Sequence, residues 1–168
     1  NVVEQKISVH PAIRKACDAN GVAIVWCYPG YDLTFEPKLA QELHDLTQKN
    51  LKAIGESIGY PELGTAPLIL FGHSNTTAFA QNGAEARPDR VLAIIVTHGW
   101  NGVASLKQYK GPVLLFIGTH MEQRQQGSSI LTNKGLRALG PVDLKLTENW
   151  MPISVVDEYG SGHYDYSE

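Results

Sequence analysis

Five short apolar runs constrain this chain more than any other feature: Val22 to Tyr28, Leu68 to Phe71, Val91 to Thr97, Val113 to Ile117 and Ile153 to Val156. Each is nearly continuous in hydrophobicity, as expected of strands covered on both faces, and each is too short for a buried helix. Most of them follow a helix-compatible stretch, which is how a parallel sheet with crossover helices is written. The expected fold class is α/β: a mostly parallel sheet with helices on both faces, in one domain spanning the chain.

The clearest helix is Pro37 to Ile58, where Leu39, Leu43, Leu46, Leu51, Ile54 and Ile58 recur near helical spacing and Pro37 suits a first turn. Pro11 to Asn20, ending before Gly21, reads as a shorter helix, and Thr76 to Ala86 and Ser129 to Leu139 as two more. A short helix around Val103 to Tyr109 completes the set.

Charge and composition narrow the function classes. With 17 acidic residues against 14 basic, the net charge is -3 and no run of Lys or Arg forms a nucleic-acid footprint. The longest apolar runs fall far short of the roughly 20 residues that cross a bilayer, so no membrane span is expected. Cys17 and Cys27 show no metal-type clustering and fall on a neighbouring predicted helix and strand. A bridge is open to them, and two buried thiols are the expected state. Neither a signal peptide nor an initiator Met is visible before Asn1.

Chemistry concentrates where Leu68-Ile-Leu-Phe runs into Gly72-His73-Ser74-Asn75-Thr76 and then into a helix-compatible segment. A nucleophilic serine at the apex of a strained strand-to-helix turn needs small residues two places before and after it, because larger ones collide with the adjoining backbone. Gly72 meets that need, and Thr76 stands where glycine is usual. Near the other end, Ile153 to Val156 is followed by Asp157-Glu-Tyr-Gly-Ser-Gly-His163, a glycine-rich loop that lets an imidazole reach across the carboxyl ends of the strands. In the serine hydrolases that this turn and loop resemble, the acid that fixes such an imidazole normally follows the strand two after the serine strand. Here that exit reads Gly118-Thr119-His120-Met121-Glu122, which makes Glu122 the expected acid, with Asp157 and Glu158 as alternatives. His98, His120, Glu122 and His163 lack metal-ligand spacing, so no metal and no cofactor are expected.

In the order serine, acid, histidine, the segments Gly72 to Thr76, Gly118 to Glu122 and Gly162-His163-Tyr164 resemble the α/β-hydrolase superfamily, from Pro11 to the end of the chain. Phe79 and the stretch Thr97-His98-Gly99-Trp100 look closest to secreted esterases and polyester- or carbohydrate-ester-cleaving relatives, which leans the expected compartment towards secretion. The resemblance implies Ser74 as nucleophile, His163 as base, Glu122 as the residue orienting His163, and the Asn75 N–H as an oxyanion donor. His73, Tyr28 and Trp100 are candidates for the substrate pocket, with Trp150 a further aromatic candidate. The implied activity is hydrolysis of a small-molecule or polymer carboxylic ester through an acyl-enzyme.

The resemblance departs upstream. The family's second oxyanion donor usually comes from a His-Gly segment after an earlier strand, and none precedes Pro11. If Val22 to Tyr28 is the family's fourth strand, the third should precede residue 1, and Val2 to Val9, with Glu4, Gln5 and Lys6, is too polar to replace it. An α/β-hydrolase core without its N-terminal strands is the expectation, the C-terminal part of a larger hydrolase. Two readings compete with the esterase: a non-catalytic α/β module binding a small ligand or partner at the sheet's carboxyl edge, and another acyl-transfer chemistry such as a peptidase, thioesterase or lyase.

Overall fold

The computed structural model describes residues 9–27, 37–99, 106–118 and 152–158. The chain divides into two compact units, Asn1–Asp32 and Leu33–Glu168.

In the first unit, helix α1 (Pro11–Ala19) opens with proline at the first turn. It closes where Asn20 donates its side-chain amide to the Ala16 carbonyl at 2.7 Å and the Val22 N–H reaches back to Cys17 at 2.8 Å. The expected strand at Val22 to Tyr28 is corrected here: residues 22–27 carry no ladder. Val22, Ile24, Val25 and Trp26 are exposed. Hydrophobicity marks a segment as strand-compatible, but a strand exists only with a hydrogen-bonding neighbour, and the first unit offers none among its described residues. The expectation of two buried thiols fails for the same reason. Both cysteines are unbridged, Cys17 is half-buried and Cys27 is exposed.

Among its described residues the second unit is an α/β arrangement around a four-stranded, all-parallel sheet: β1 (Leu68–His73), β2 (Val91–Thr97), β3 (Val113–Gly118) and β4 (Ile153–Glu158), in spatial order β1-β2-β3-β4. Four of the five expected strands therefore form. Three extend further than the apolar runs do, β1 to His73, β3 to Gly118 and β4 to Glu158. Asp157 and Glu158, the alternative acids, thus lie within a strand, opposite Ile117 and Gly118, and not on the loop after it.

Helix α2 (Pro37–Ile58) precedes the sheet and α3 (Thr76–Ala86) links β1 to β2. One core joins Ala80 and Ala84 of α3 with Val91, Ile94 and Val96 of β2, Val113 and Leu115 of β3, and Leu106 and Tyr109 from the β2–β3 connection. Each large aliphatic buried there contributes roughly 1.5–3 kcal/mol. Residues 106–110 form no helix, so the described part of the expected Val103 to Tyr109 helix is absent. The segment is held instead by Glu85, whose carboxylate accepts the N–H groups of Gln108 (2.8 Å) and Tyr109 (3.2 Å). The buried Tyr109 hydroxyl donates to the Pro112 carbonyl at 2.9 Å, and burial pushes its pKa up to about 12. Alternation along β1 sends Leu68 and Leu70 towards this core and Ile69 and Phe71 to the opposite face. That face is exposed among the described residues, Ile69 by 54%.

Along α2 the buried positions are His44, Leu51 and Gly55, while Leu46, Ile54 and Ile58 are exposed. The apolar spacing finds the helix but only part of its packed face. His44 supplies the contact with α3: its ring stacks on Phe79 at 4.2 Å and its Nε2–H donates to the Phe79 carbonyl at 3.0 Å. It lies over Gly83, where a methyl would overlap the imidazole. Beside it Arg87 pairs with Asp45 and holds that carboxyl below its ordinary range.

Burial holds the His44 imidazole below its ordinary value, outweighing the Phe79 hydrogen bond and nearby Asp45, which act the other way. The folded state resists a proton that the unfolded chain accepts near pH 6.5, so stability falls as pH drops through about 6.5 towards the lowered folded value. Thermal melts should show a lower Tm at pH 5 than at pH 7.5. His44→Gln, which keeps an amide donor but does not titrate, should lose less of its Tm over the same interval; an unchanged pH response would contradict this role.

Candidate active site

The site forms where β1 ends and α3 begins. Ser74 takes a left-handed backbone, φ 54°, which L-residues with a side chain seldom adopt. Such a conformation costs about 1–2 kcal/mol and persists where the surroundings over-determine it. At Ser74 they do. Its N–H donates to the Thr97 carbonyl of β2 at 2.9 Å, and its own carbonyl accepts the Thr77 N–H at 3.1 Å and the Thr77 hydroxyl at 2.7 Å.

The flanking small position behaves as the sequence argument requires. A methyl at Gly72 would lie 2.6 Å from the Thr76 carbonyl oxygen and 2.7 Å from the Thr77 Cα, so the strand and the first turn of α3 approach closer than any side chain at 72 permits. Thr76, in place of the usual glycine, fits because its hydroxyl is used twice. It accepts the His73 N–H at 2.8 Å and donates to the His73 carbonyl, also at 2.8 Å. The threonine thereby closes the turn on itself.

Asn75 is the N-cap of α3, with helical backbone angles. Its N–H lies at a helix N-terminus, where backbone donors have no intrahelical acceptor and the helix dipole favours negative charge. This is the position an oxyanion donor next to the nucleophile requires. His73, one residue before the serine, is half-buried, and its ring meets that of His98 edge-on, centroids 5.5 Å apart.

Of the residues predicted for the site, Ser74, Asn75 and His73 come together at this turn. His163, Glu122, Tyr28, Trp100 and Trp150 lie outside the described residues, as does the expected helix Ser129 to Leu139. Among the described residues, no group of three His, Cys, Asp or Glu is arranged to hold a metal ion. No helix among them is long and apolar enough to cross a membrane. The sequence places His98 only in a rejected metal set and in the segment Thr97-His98-Gly99-Trp100, with no role at the serine; the structure buries it beside the strand-to-helix elbow at Ser74, just after β2. The available signal was its place directly after a buried strand one ladder step from the serine strand.

The closeness of Gly72 to α3 should be measurable. Gly72→Ala should lower unfolding free energy by about 1–3 kcal/mol through forced displacement of the turn, read by urea denaturation. Thr76→Val should cost about 1–3 kcal/mol by leaving two backbone groups of His73 without their partner, while Thr76→Ser, which keeps the hydroxyl, should stay near wild type. Equal behaviour of Val and Ser at 76 would show that the hydroxyl bridge contributes nothing. Compared with models of known families, with curated proteins and with solved structures, the chain gives no match.

Proposed function

We propose that this chain is a serine hydrolase of α/β-hydrolase type that cleaves a carboxylic ester through an acyl-enzyme. The observation that carries the reading is the left-handed backbone of Ser74 at a turn between a parallel strand and a helix, with Gly72 packed against that helix. This turn lifts a serine out of the strand's alternation and sets it at the carboxyl edge of a parallel sheet, where substrates of such sheets bind.

In this reading the Ser74 hydroxyl attacks the ester carbonyl, and the Asn75 N–H donates to the oxygen that becomes negative. His163 takes the serine proton and returns it to the departing alcohol, leaving the acyl group on Ser74. Water then attacks the acyl-enzyme, His163 takes its proton, and the acid departs with Ser74 restored. Glu122 fixes the tautomer of His163 and stabilises the imidazolium, a part that Asp157 or Glu158 takes if Glu122 does not.

A fluorophosphonate probe tests the nucleophile directly, because phosphorus bonds to an activated serine oxygen as fluoride leaves. The chain should label stoichiometrically and turn over p-nitrophenyl esters from acetate to octanoate. Ser74→Ala should abolish labelling and lower turnover by at least about a thousandfold, the scale of losing a catalytic nucleophile. A folded wild-type chain inert to both reagents would leave the sheet edge as a binding surface without acyl chemistry.

A further inference from the structure

Ser74 and His98 are the two non-glycine residues with left-handed backbones among the described residues, both at φ 54°. Each directly follows its strand, β1 in one case and β2 in the other. Each also donates its N–H to a carbonyl of the next strand over, Ser74 to Thr97 at 2.9 Å and His98 to Phe116 at 3.1 Å. The turn after β2 therefore repeats the elbow one step across the sheet.

The two turns share a part. The Thr97 carbonyl that holds Ser74 and the N–H of His98 belong to one planar peptide group. That group is pinned on both sides, its carbonyl by the elbow and its N–H by β3. Gly99 follows and closes on the same turn: a methyl there would lie 2.7 Å from the Ser74 carbonyl oxygen and 2.9 Å from Thr77 Oγ1. The His98 side chain is 1% exposed, and its ring lies edge-on to that of His73, the residue that precedes the serine.

A histidine at this strand end carries a Cβ into a left-handed backbone that glycine takes without steric cost. Here its ring braces the residue before the serine while its peptide group braces the serine itself. We propose that His98 is a positioning residue for Ser74, holding the elbow in the geometry that aims the serine hydroxyl at substrate. The inference rests on the reading of Ser74 as nucleophile.

The test uses the full chain with His98→Ala and His98→Asn. Alanine removes the ring and tolerates the left-handed backbone poorly, whereas asparagine tolerates that backbone but lacks the ring. The rate constant of fluorophosphonate labelling, kcat and KM on p-nitrophenyl acetate, and far-UV circular dichroism are measured for each. In folded His98→Ala, labelling and kcat should fall about tenfold to a hundredfold, the scale of a misplaced reacting group. KM should stay within about twofold, as for an interaction that matters only in the transition state. His98→Asn should recover part of the loss by restoring the backbone, and if His98→Ala does not fold, a labelling rate in His98→Asn below wild type carries the result.

Wild-type labelling rates in the folded variants overturn the inference, and so does a rise in KM at unchanged kcat, which would make His98 a substrate contact. A labelled wild type with indifferent variants overturns this inference alone. An unlabelled wild type overturns the nucleophile reading and takes this inference with it.

Discussion

The hydrogen bond from the Ser74 N–H to the Thr97 carbonyl carries the β1–β2 ladder one residue beyond the strand, and the local structure is arranged around it. Without that anchor the chain leaving β1 would have no reason to enter the left-handed region. With it, Ser74 is fixed at the sheet and the carbonyl of Ser74 turns to receive the first donors of α3. One backbone contact thus sets the direction of the helix, the close approach at Gly72 and the exposure of Asn75 at the helix N-terminus. The strain at Ser74 is sustained by hydrogen bonds on both sides of it.

The rest of the second unit supports that anchor by holding β2 still. Ile94 and Val96 are fully buried, as is Leu115 beside Val96 in the ladder, and Val113 beside Ile94 is nearly so. The connections from β1 to β2 and from β2 to β3 feed one cluster, where Ala80 and Ala84 meet Leu106 and Tyr109. Among the described residues this is one cluster, on one side of the sheet. Glu85 fastens the second connection to α3, and Arg90 binds the Gly64 and Ala66 carbonyls ahead of β1. These contacts fix the ends of the strands that carry the turn.

Much of this was legible from residue patterns. Leu68, Val91, Val113 and Ile153 each open a run that forms a strand at or within two residues of the expected end, because the residues that face the core, such as Leu70, Ile94 and Leu115, leave no room for polar side chains. The tight strand-to-helix turn was legible too, since Gly72 marks a place where a side chain would collide with the helix that follows. Val22 to Tyr28 misled because the same apolar signal says nothing about whether a neighbouring strand exists. The buried face of α2 was only partly legible because His44, which packs on α3, and Gly55, which lies against Tyr60 and Leu63, are buried where Leu46 and Ile54 are exposed. A histidine and a glycine carry no hydrophobic signal, although the His44 ring packs closely over Gly83 of α3.

His98 was harder to see for a related reason. A single histidine after a strand has many unremarkable explanations, and its significance depends on register, which residue spacing does not reveal. The register sets Gly72 opposite Val96 and His73 opposite Thr97, so the residues just past the two strand ends must lie side by side. Two left-handed turns in that relation constrain each other: relaxing the backbone at 98 rotates the peptide group that holds Ser74, and relaxing Ser74 removes an acceptor's partner at Thr97. Strain at neighbouring strand ends is therefore a shared property of one turn pair. Through that shared peptide group the turn at Ser74 is tied to β2 and β3 as well as to its own strand and helix.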